Sequence, residues 1–415
     1  MRVLALALAI SVQASDHASS PTVALRGAKV YTGAGVPIES AVVLIENGKI
    51  LAVGKDVPVP PDARVIEATG KIVIPGLIDA ASRLFLPPGE KSSGSAEQNV
   101  LDALDLYQRD YVEAVEQGVT AAYIGPASLG PVNGLGAVLR LDAAHTVLLK
   151  DAALKLTLGA SGGDSSTALE RYQSYPQLKQ AFEAARQYVE NGEKYRKDLA
   201  EYEAKKAKKE EAKEPVKPKA DPRQEVLAQA LDPKGTLKVR IEVHTADAIA
   251  LALRLAEEFK LRVVLEHATE GGPSAEAIAR AKVPVVAGPV FRLGGYSVDY
   301  LNHSVGTAAS LVKAGVPVAI GSFGDERAGQ WGPGASRFLA ESAALAASRG
   351  LTRDQALAAI TTEAAKILGI DKTHGSIEKG KVADLVLLSG EPFESGTVVE
   401  QTFLDGVPAY ARRAR

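Results

Sequence analysis

From Thr22 the chain runs in short apolar stretches separated by turns. "TVALRGAKVYTGAGVPIESAVVLIENGKILAVGKD" is broken at Thr-Gly, Glu-Asn-Gly-Lys and Val-Gly-Lys, the punctuation of successive β-strands. Asn47-Gly48 lies between "AVVLIE" and "KILAVG". Both central residues of a type I′ turn need positive φ, so this pair predicts a hairpin. The C-terminal "GSIEKGKVADLVLLSGEP" and "VVEQTFLDGVPAY" have the same texture, with Asp405-Gly406 as another turn. Two β-rich ends around a long middle predict one small sheet domain, a β-sandwich built from residues 19–73 and 375–415.

The middle, residues 74–374, alternates apolar runs with helical patterns. Eight strand candidates fall at 72–79, 119–125, 137–141, 153–159, 237–244, 262–267, 283–289 and 316–322. After the fifth comes "TADAIALALRLAEEFK", with Ile249, Leu253 and Ala256 at helical spacing. Eight strands with helical crossovers predict an α/β fold, a (β/α)8 barrel, whose chemistry collects at the C-terminal ends of the strands. A charged insertion, residues 191–222, interrupts the pattern. Between Lys194 and Lys219 it carries 10 Lys/Arg against 6 Asp/Glu, a mixture that reads as a solvated excursion, with an anionic docking arm as the alternative. Helix propensity and pairs such as Glu201 with Lys205 favour a helix there, to be stopped by Pro215, Pro218 and Pro222.

Composition narrows the function classes. A net charge of -2 over 415 residues gives no general pull toward nucleic acid or an anionic membrane. The absence of cysteine excludes disulfides and thiolate metal sites. Residues 1–18 pair Arg2 with an apolar run and then small residues, the layout of a secretory signal cleaved near 14–18, so a secreted or periplasmic protein is expected. No later apolar run is long enough to span a bilayer as a helix. A homo-oligomer is only the default expectation.

Two histidines stand where barrel chemistry belongs. His244 closes "VRIEVH" and His267 closes "VVLEH", about one strand-helix-strand repeat apart. Imidazoles on adjacent strand ends can share a divalent ion, although a lone strand-end histidine is as readily a structural residue. His17, His145, His303 and His374 fall in the leader or in loop-like sequence and are expected at the surface. "GASGGDSS", from Gly159, lacks the lysine of a phosphate loop.

The pieces "VVLIENGKILAVG", "VIEATGKIVIPGLIDA", "GVTAAYIGP", "VRIEVHTADAIALALRLAEEF", "LRVVLEHATEGG", "ITTEAAKILGID" and "GSIEKGKVADLVLLSGEPF" resemble the amidohydrolase superfamily, most of all its imidazolonepropionase-like secreted branch. That resemblance implies a (β/α)8 barrel with a terminal β-sandwich and hydrolysis of non-peptide C–N bonds in small-molecule amides or cyclic ureides. It also implies one or two divalent ions, usually zinc, that activate a water, and a strand-eight Asp that moves its proton. His244 and His267 match the strand-five and strand-six ligands. The two first-strand histidines correspond to Ala81 and Arg83, and the strand-eight Asp to Phe323. Where another histidine often precedes the strand-five ligand, this chain has Glu242. No lysine is read at the end of the fourth strand, although Lys150 and Lys155 are near.

With two ligands left, the site falls short of the three or four that zinc needs. A guanidinium roughly 4 Å from a dication would also be repelled by about 8 kcal/mol at an effective dielectric near 20. Arg83 is therefore expected either to pair with Glu242, Glu266 or Asp325, or to present its fork to a ligand carboxylate; the plainer alternative is a solvated side chain on the rim. Asp325 and Glu242 are weak candidates for a displaced acid or base. Two functions stay open: a C–N hydrolase with a degenerate single-ion site at His244 and His267, or a non-catalytic binding or scaffold protein that keeps the fold.

Overall fold

The computed structural model describes residues 22–87, 94–159, 168–290, 298–324 and 332–413. The expected leader, with His17, the Gly-rich segment beyond Gly159 and the candidate acid Asp325 lie outside the described residues.

Both chain ends build one sheet. Its strands are β1 (Val23–Val30), β2 (Ile38–Glu46), β3 (Lys49–Gly54), β4 (Arg64–Glu67) and β5 (Ile72–Pro75). Late in the chain β14 (Leu385–Leu388), β15 (Val399–Leu404) and β16 (Val407–Ala411) join them. The order is β16-β15-β14-β5-β1-β2-β3, with β4 pairing with β1. Asn47 and Gly48 adopt φ of 51° and 75° in the β2–β3 hairpin, and Asp405 and Gly406 adopt 52° and 71° in the β15–β16 hairpin, as the turn chemistry predicts. Leu25, Val43, Val73, Leu385 and Phe403 are buried together inside this domain.

The eight barrel strands are β6 (Leu77–Ser82), β7 (Val119–Ile124), β8 (Val132–Arg140), β9 (Val147–Thr157), β10 (Lys238–Val243), β11 (Val263–His267), β12 (Val285–Ala287) and β13 (Val318–Ile320). They lie in sequence order across the sheet. The run at 72–79, expected as one barrel strand, divides at Gly76: β5 stays in the terminal sheet and β6 enters the barrel. A side chain at Gly76 would sit 2.3 Å from the Thr120 hydroxyl, so the close crossing needs glycine.

One strand runs the other way. β8 is antiparallel to both β7 and β9, so three barrel strands form a meander with no crossover helix. The connections 125–131 and 141–146 are too short for a helical crossover, which forces the reversal. The remaining strands are parallel. Closure comes at β6 and β13, where the Phe323 N–H donates to the Ala81 carbonyl at 2.7 Å.

The helices are α1 (Asp110–Glu116), α2 (Ala168–Ala207), α3 (Pro222–Leu231), α4 (Ala246–Phe259), α5 (Gly271–Ala281), α6 (Thr307–Lys313), α7 (Leu339–Ala347), α8 (Arg353–Ala359) and α9 (Thr362–Leu368). In α4, Ile249, Ala252, Leu255 and Ala256 share the buried face that packs on the barrel. Only the first part of the charged insertion is helical, as the distal part of α2, a helix of 40 residues that extends about 60 Å at 1.5 Å per residue. The helix ends at Ala207, before the prolines expected to stop it; residues 210–221 are irregular, and Pro222 opens α3 instead. The near end of α2 is anchored through Leu178, Phe182 and Ala185, and its far end is exposed. No helix among the described residues is long and apolar enough to cross a membrane.

Candidate functional site

β10 reads Lys-Val-Arg-Ile-Glu-Val, followed by His244. Period-two alternation puts Val239, Ile241 and Val243 against the helical layer, where all three are fully buried in the large core. The opposite face carries Arg240, Glu242 and His244 into the barrel. Ile78, Ala121, Val138, Ala153, Val264, Val286 and Ala319, from the other seven strands, form an apolar cluster within the barrel. β10 contributes no apolar residue to that layer and supplies the Arg240 guanidinium instead, 3.8 Å from the Tyr123 ring centroid. Three of these seven side chains are alanines, which leaves room for long charged ones.

Among the described residues, those charged chains form one network. Lys155, on β9 directly beside Arg240 in register, sends its Nζ to 2.9 Å from Glu242 Oε2 and into contact with Glu266 Oε2. Arg240 Nε donates to Glu266 Oε1, and its Nη2 donates to the Ala80 carbonyl at 2.8 Å. Ser128, from the loop after β7, donates to Glu242 Oε2, and Asn133 holds that loop by accepting from the Leu129 and Gly130 N–H groups. Lys155, Arg240, Glu242 and Glu266 are all at most 5% exposed. Burial alone would push the Glu266 carboxyl up; Lys155 and Arg240 beside it hold it down at about 2. Burial likewise opposes the Lys155 charge, and Glu242 and Glu266 override it, so its pKa is raised.

The two histidines meet above this network. Their ring centroids are 4.5 Å apart. His244 shares a 2.8 Å hydrogen bond between Nδ1 and the Thr269 hydroxyl, and its buried Nε2, 3.5 Å from Glu242 Oε1, has no hydrogen-bond partner. His267 Nδ1 donates to the Gly288 carbonyl at 2.9 Å, which makes Nε2 the lone-pair nitrogen of the neutral ring. His267 and Phe323 both adopt positive φ, 64° and 59°, uncommon for such side chains, and their rings stack with centroids 3.8 Å apart.

Three expectations need correction. Arg83 is half-buried after β6 and, among the described residues, makes no ion pair; Glu242 and Glu266 are engaged by Lys155 and Arg240, which reach them from adjacent strands. A lysine does occupy the fourth barrel strand, and it points inward. It was missed because a single Lys in "ALKLTLG" shows no partner; its carboxylates arrive from β10 and β11 only through the register of the sheet. His374 is buried rather than at the surface, and burial together with Arg140 lowers its pKa to about 4. His145 is partly buried between the rings of Phe85 and Tyr111, and the His303 Nε2 lies 2.8 Å from the Pro289 carbonyl.

Glu242, His244 and His267 are the group among the described residues whose ligand atoms, all within 4.8 Å of one another, could hold a metal ion. The orphaned His244 Nε2 suits that role. The Lys155 ammonium against Glu242 does not. An ammonium about 5 Å from a dication adds about 7 kcal/mol of repulsion at an effective dielectric near 20, roughly half of a typical structural zinc affinity of about 10 to 16 kcal/mol. Ala81 and Phe323 supply no donor side chain, and among the described residues the network's two cations balance its two carboxylates. With Lys155 charged, the residues do not fit the ion.

A barrel with strand-end histidines and a terminal β-sandwich is the architecture of metal-dependent hydrolases. The chain belongs to the amidohydrolase family, whose model matches residues 72–409. It is 27% identical over 394 residues to the imidazolonepropionase of Symbiobacterium thermophilum, covering 88% of this chain and 87% of that one. A shorter match, 32% over 104 residues, covers 25% of this chain and 19% of the dihydroorotase of Mycobacterium tuberculosis. Among solved structures, an amidohydrolase from Thermotoga maritima superposes with a TM-score of 0.79 at 27% identity, over 94% of this chain and 100% of that one. Membership places the chain among hydrolases of carbon–nitrogen bonds, a family that usually binds a divalent metal.

Proposed function

We propose that this amidohydrolase-family protein has lost the family's metal-dependent hydrolysis, or keeps only a trace of it, and that its barrel works as a non-catalytic binding or scaffold unit. The observation that carries this is the Lys155 ammonium paired with Glu242 and Glu266 inside the barrel. Ala81 and Phe323, where the family resemblance expects a ligand and the proton-moving acid, support it. The ligand class follows the family: a small amide or cyclic ureide, with Arg83 available to pair with an anionic group on it. The leader at residues 1–18 supports a secreted or periplasmic setting.

Zinc analysis of gently purified protein, melting with and without added zinc, and a hydrolysis panel of amides and cyclic ureides test the proposal together. Metal-free protein whose melting temperature zinc leaves unchanged is the expected result, since an ion that binds only the folded state must raise stability. A second function, a single-ion hydrolase on Glu242, His244 and His267, is favoured by the unpartnered His244 Nε2. Stoichiometric zinc and turnover, both lost in His244→Ala, would establish it and overturn the first.

A further inference from the structure

We infer that Lys155 is the barrel's resident cation, an ammonium tethered to β9 that holds β9, β10 and β11 together and masks a latent divalent-metal site on Glu242, His244 and His267. The inference rests on the proposal that the native chain binds no catalytic metal, and it goes further by naming the residue responsible and the site beneath it.

The geometry has two halves. In the first, one ammonium reaches carboxylates from the next two strands, Glu242 on β10 and Glu266 on β11, while Arg240 takes the remaining Glu266 oxygen. A multivalent ion shared between strand-end donors performs the same bridging task. Here one arm of the bridge is covalent, because the cation belongs to β9. In the second half, the donors around the ammonium keep a ligand arrangement. Glu242, His244 and His267 offer atoms within 4.8 Å of one another. His244 is 5% exposed, and its unpartnered Nε2 sits 3.5 Å from Glu242 Oε1, close to the separation of two ligand atoms about 2.1 Å from one tetrahedral zinc. Thr269 and Gly288 fix the two rings through Nδ1, as outer partners of metal-bound histidines do. Removing only the ammonium would therefore leave a buried carboxylate beside two oriented imidazoles, without the charge that repels a cation.

The test compares wild type with Lys155→Met, which keeps the length of the side chain and loses its charge. Zinc chloride is titrated calorimetrically into EDTA-treated protein, and melting is followed with and without zinc. Zinc should bind Lys155→Met at least about a hundredfold more tightly than wild type, well within the roughly five decades that removing ammonium–dication repulsion can supply, and should raise the melting temperature of the variant alone. Adding His244→Ala to the variant should abolish both effects. Lys155→Met/Glu266→Gln removes one charge of each sign, and is measured as well in case the single variant folds poorly. Either variant should refold better in zinc than in EDTA. A folded variant that binds zinc no better than wild type, or variants that zinc cannot rescue, would overturn the inference and leave the proposed function standing. Tight zinc binding by wild type would instead overturn the proposed function and, with it, the masking role of Lys155.

Discussion

Two ion networks occupy opposite ends of the barrel, and they differ in the number of imidazoles that stand beside them. Near the start of the strands, Arg140 on β8 donates through Nε to Asp384 Oδ2 at 3.1 Å and also pairs with Asp405, tying the barrel to the terminal sheet. There a single guanidinium serves Asp384 and Asp405, with Asp142 3.7 Å away. The buried His374 Nε2 stands 3.8 Å from Asp384, and burial, opposed by Arg140, raises the Asp384 pKa to about 6. At the ends of the strands, Lys155 and Arg240 balance Glu242 and Glu266, and two oriented histidines stand beside them. Buried charge by itself therefore does not mark a site. Nor does an unpartnered imidazole beside a carboxylate, since His374 and His244 both provide one; the mouth is distinguished by the pairing of His244 with a second oriented ring, His267, 4.5 Å away.

The comparison can be broken by removing one cation from each network. Lys155→Met strands Glu242 in the interior and should cost about 3 to 5 kcal/mol in urea unfolding at pH 7.5 with EDTA present. Acid should expose the mouth next. The Glu266 carboxyl, at about 2 when folded against about 4.5 as its ordinary value, contributes stability that is fully present above pH 4.5 and lost as pH falls toward 2. That amounts to about 3 kcal/mol. In Glu266→Gln, urea unfolding at a series of pH values should show a correspondingly shallower acid limb.

Arg140→Met should cost less, about 1 to 3 kcal/mol, because Asp384 already binds a proton near pH 6 and can escape its charge. The penalty should shrink between pH 8 and pH 5 as that proton goes on; an equal penalty at both would mean the two networks behave alike. The smallest effect belongs to Ser128→Ala, which removes one hydrogen bond to Glu242 and should cost about 1 kcal/mol by the same unfolding measurement.

Much of this architecture was legible beforehand, for physical reasons. Turn residues such as Asn47-Gly48 and Asp405-Gly406 admit few backbone conformations, so the terminal sheet announced itself. All eight barrel runs were visible as apolar strands, and His244 and His267 could be placed at strand ends. The direction of β8 could have been read from the short connection after Ile124, which has no room for a crossover helix. The charge network was harder. Arg240 and Glu242 alternate visibly along β10, but Lys155 lies 111 positions from Glu266 in the chain, and only sheet register brings them together. Position alone leaves Arg83 a choice of ion pair, ligand fork or solvated rim; Glu242 and Glu266 are unavailable to it because sheet register brings Lys155 and Arg240 to them.

The reversed β8 strand bears on how the barrel assembles. β7, β8 and β9 can pair through two turns, whereas joining β6 to β13 must wait for a loop of more than two hundred residues to close. Local pairing lowers the entropic toll of the early steps. During refolding, amides of Ala121–Ile124 and Ala137–Arg140 should gain protection from exchange before the Phe323 amide that seals the ring.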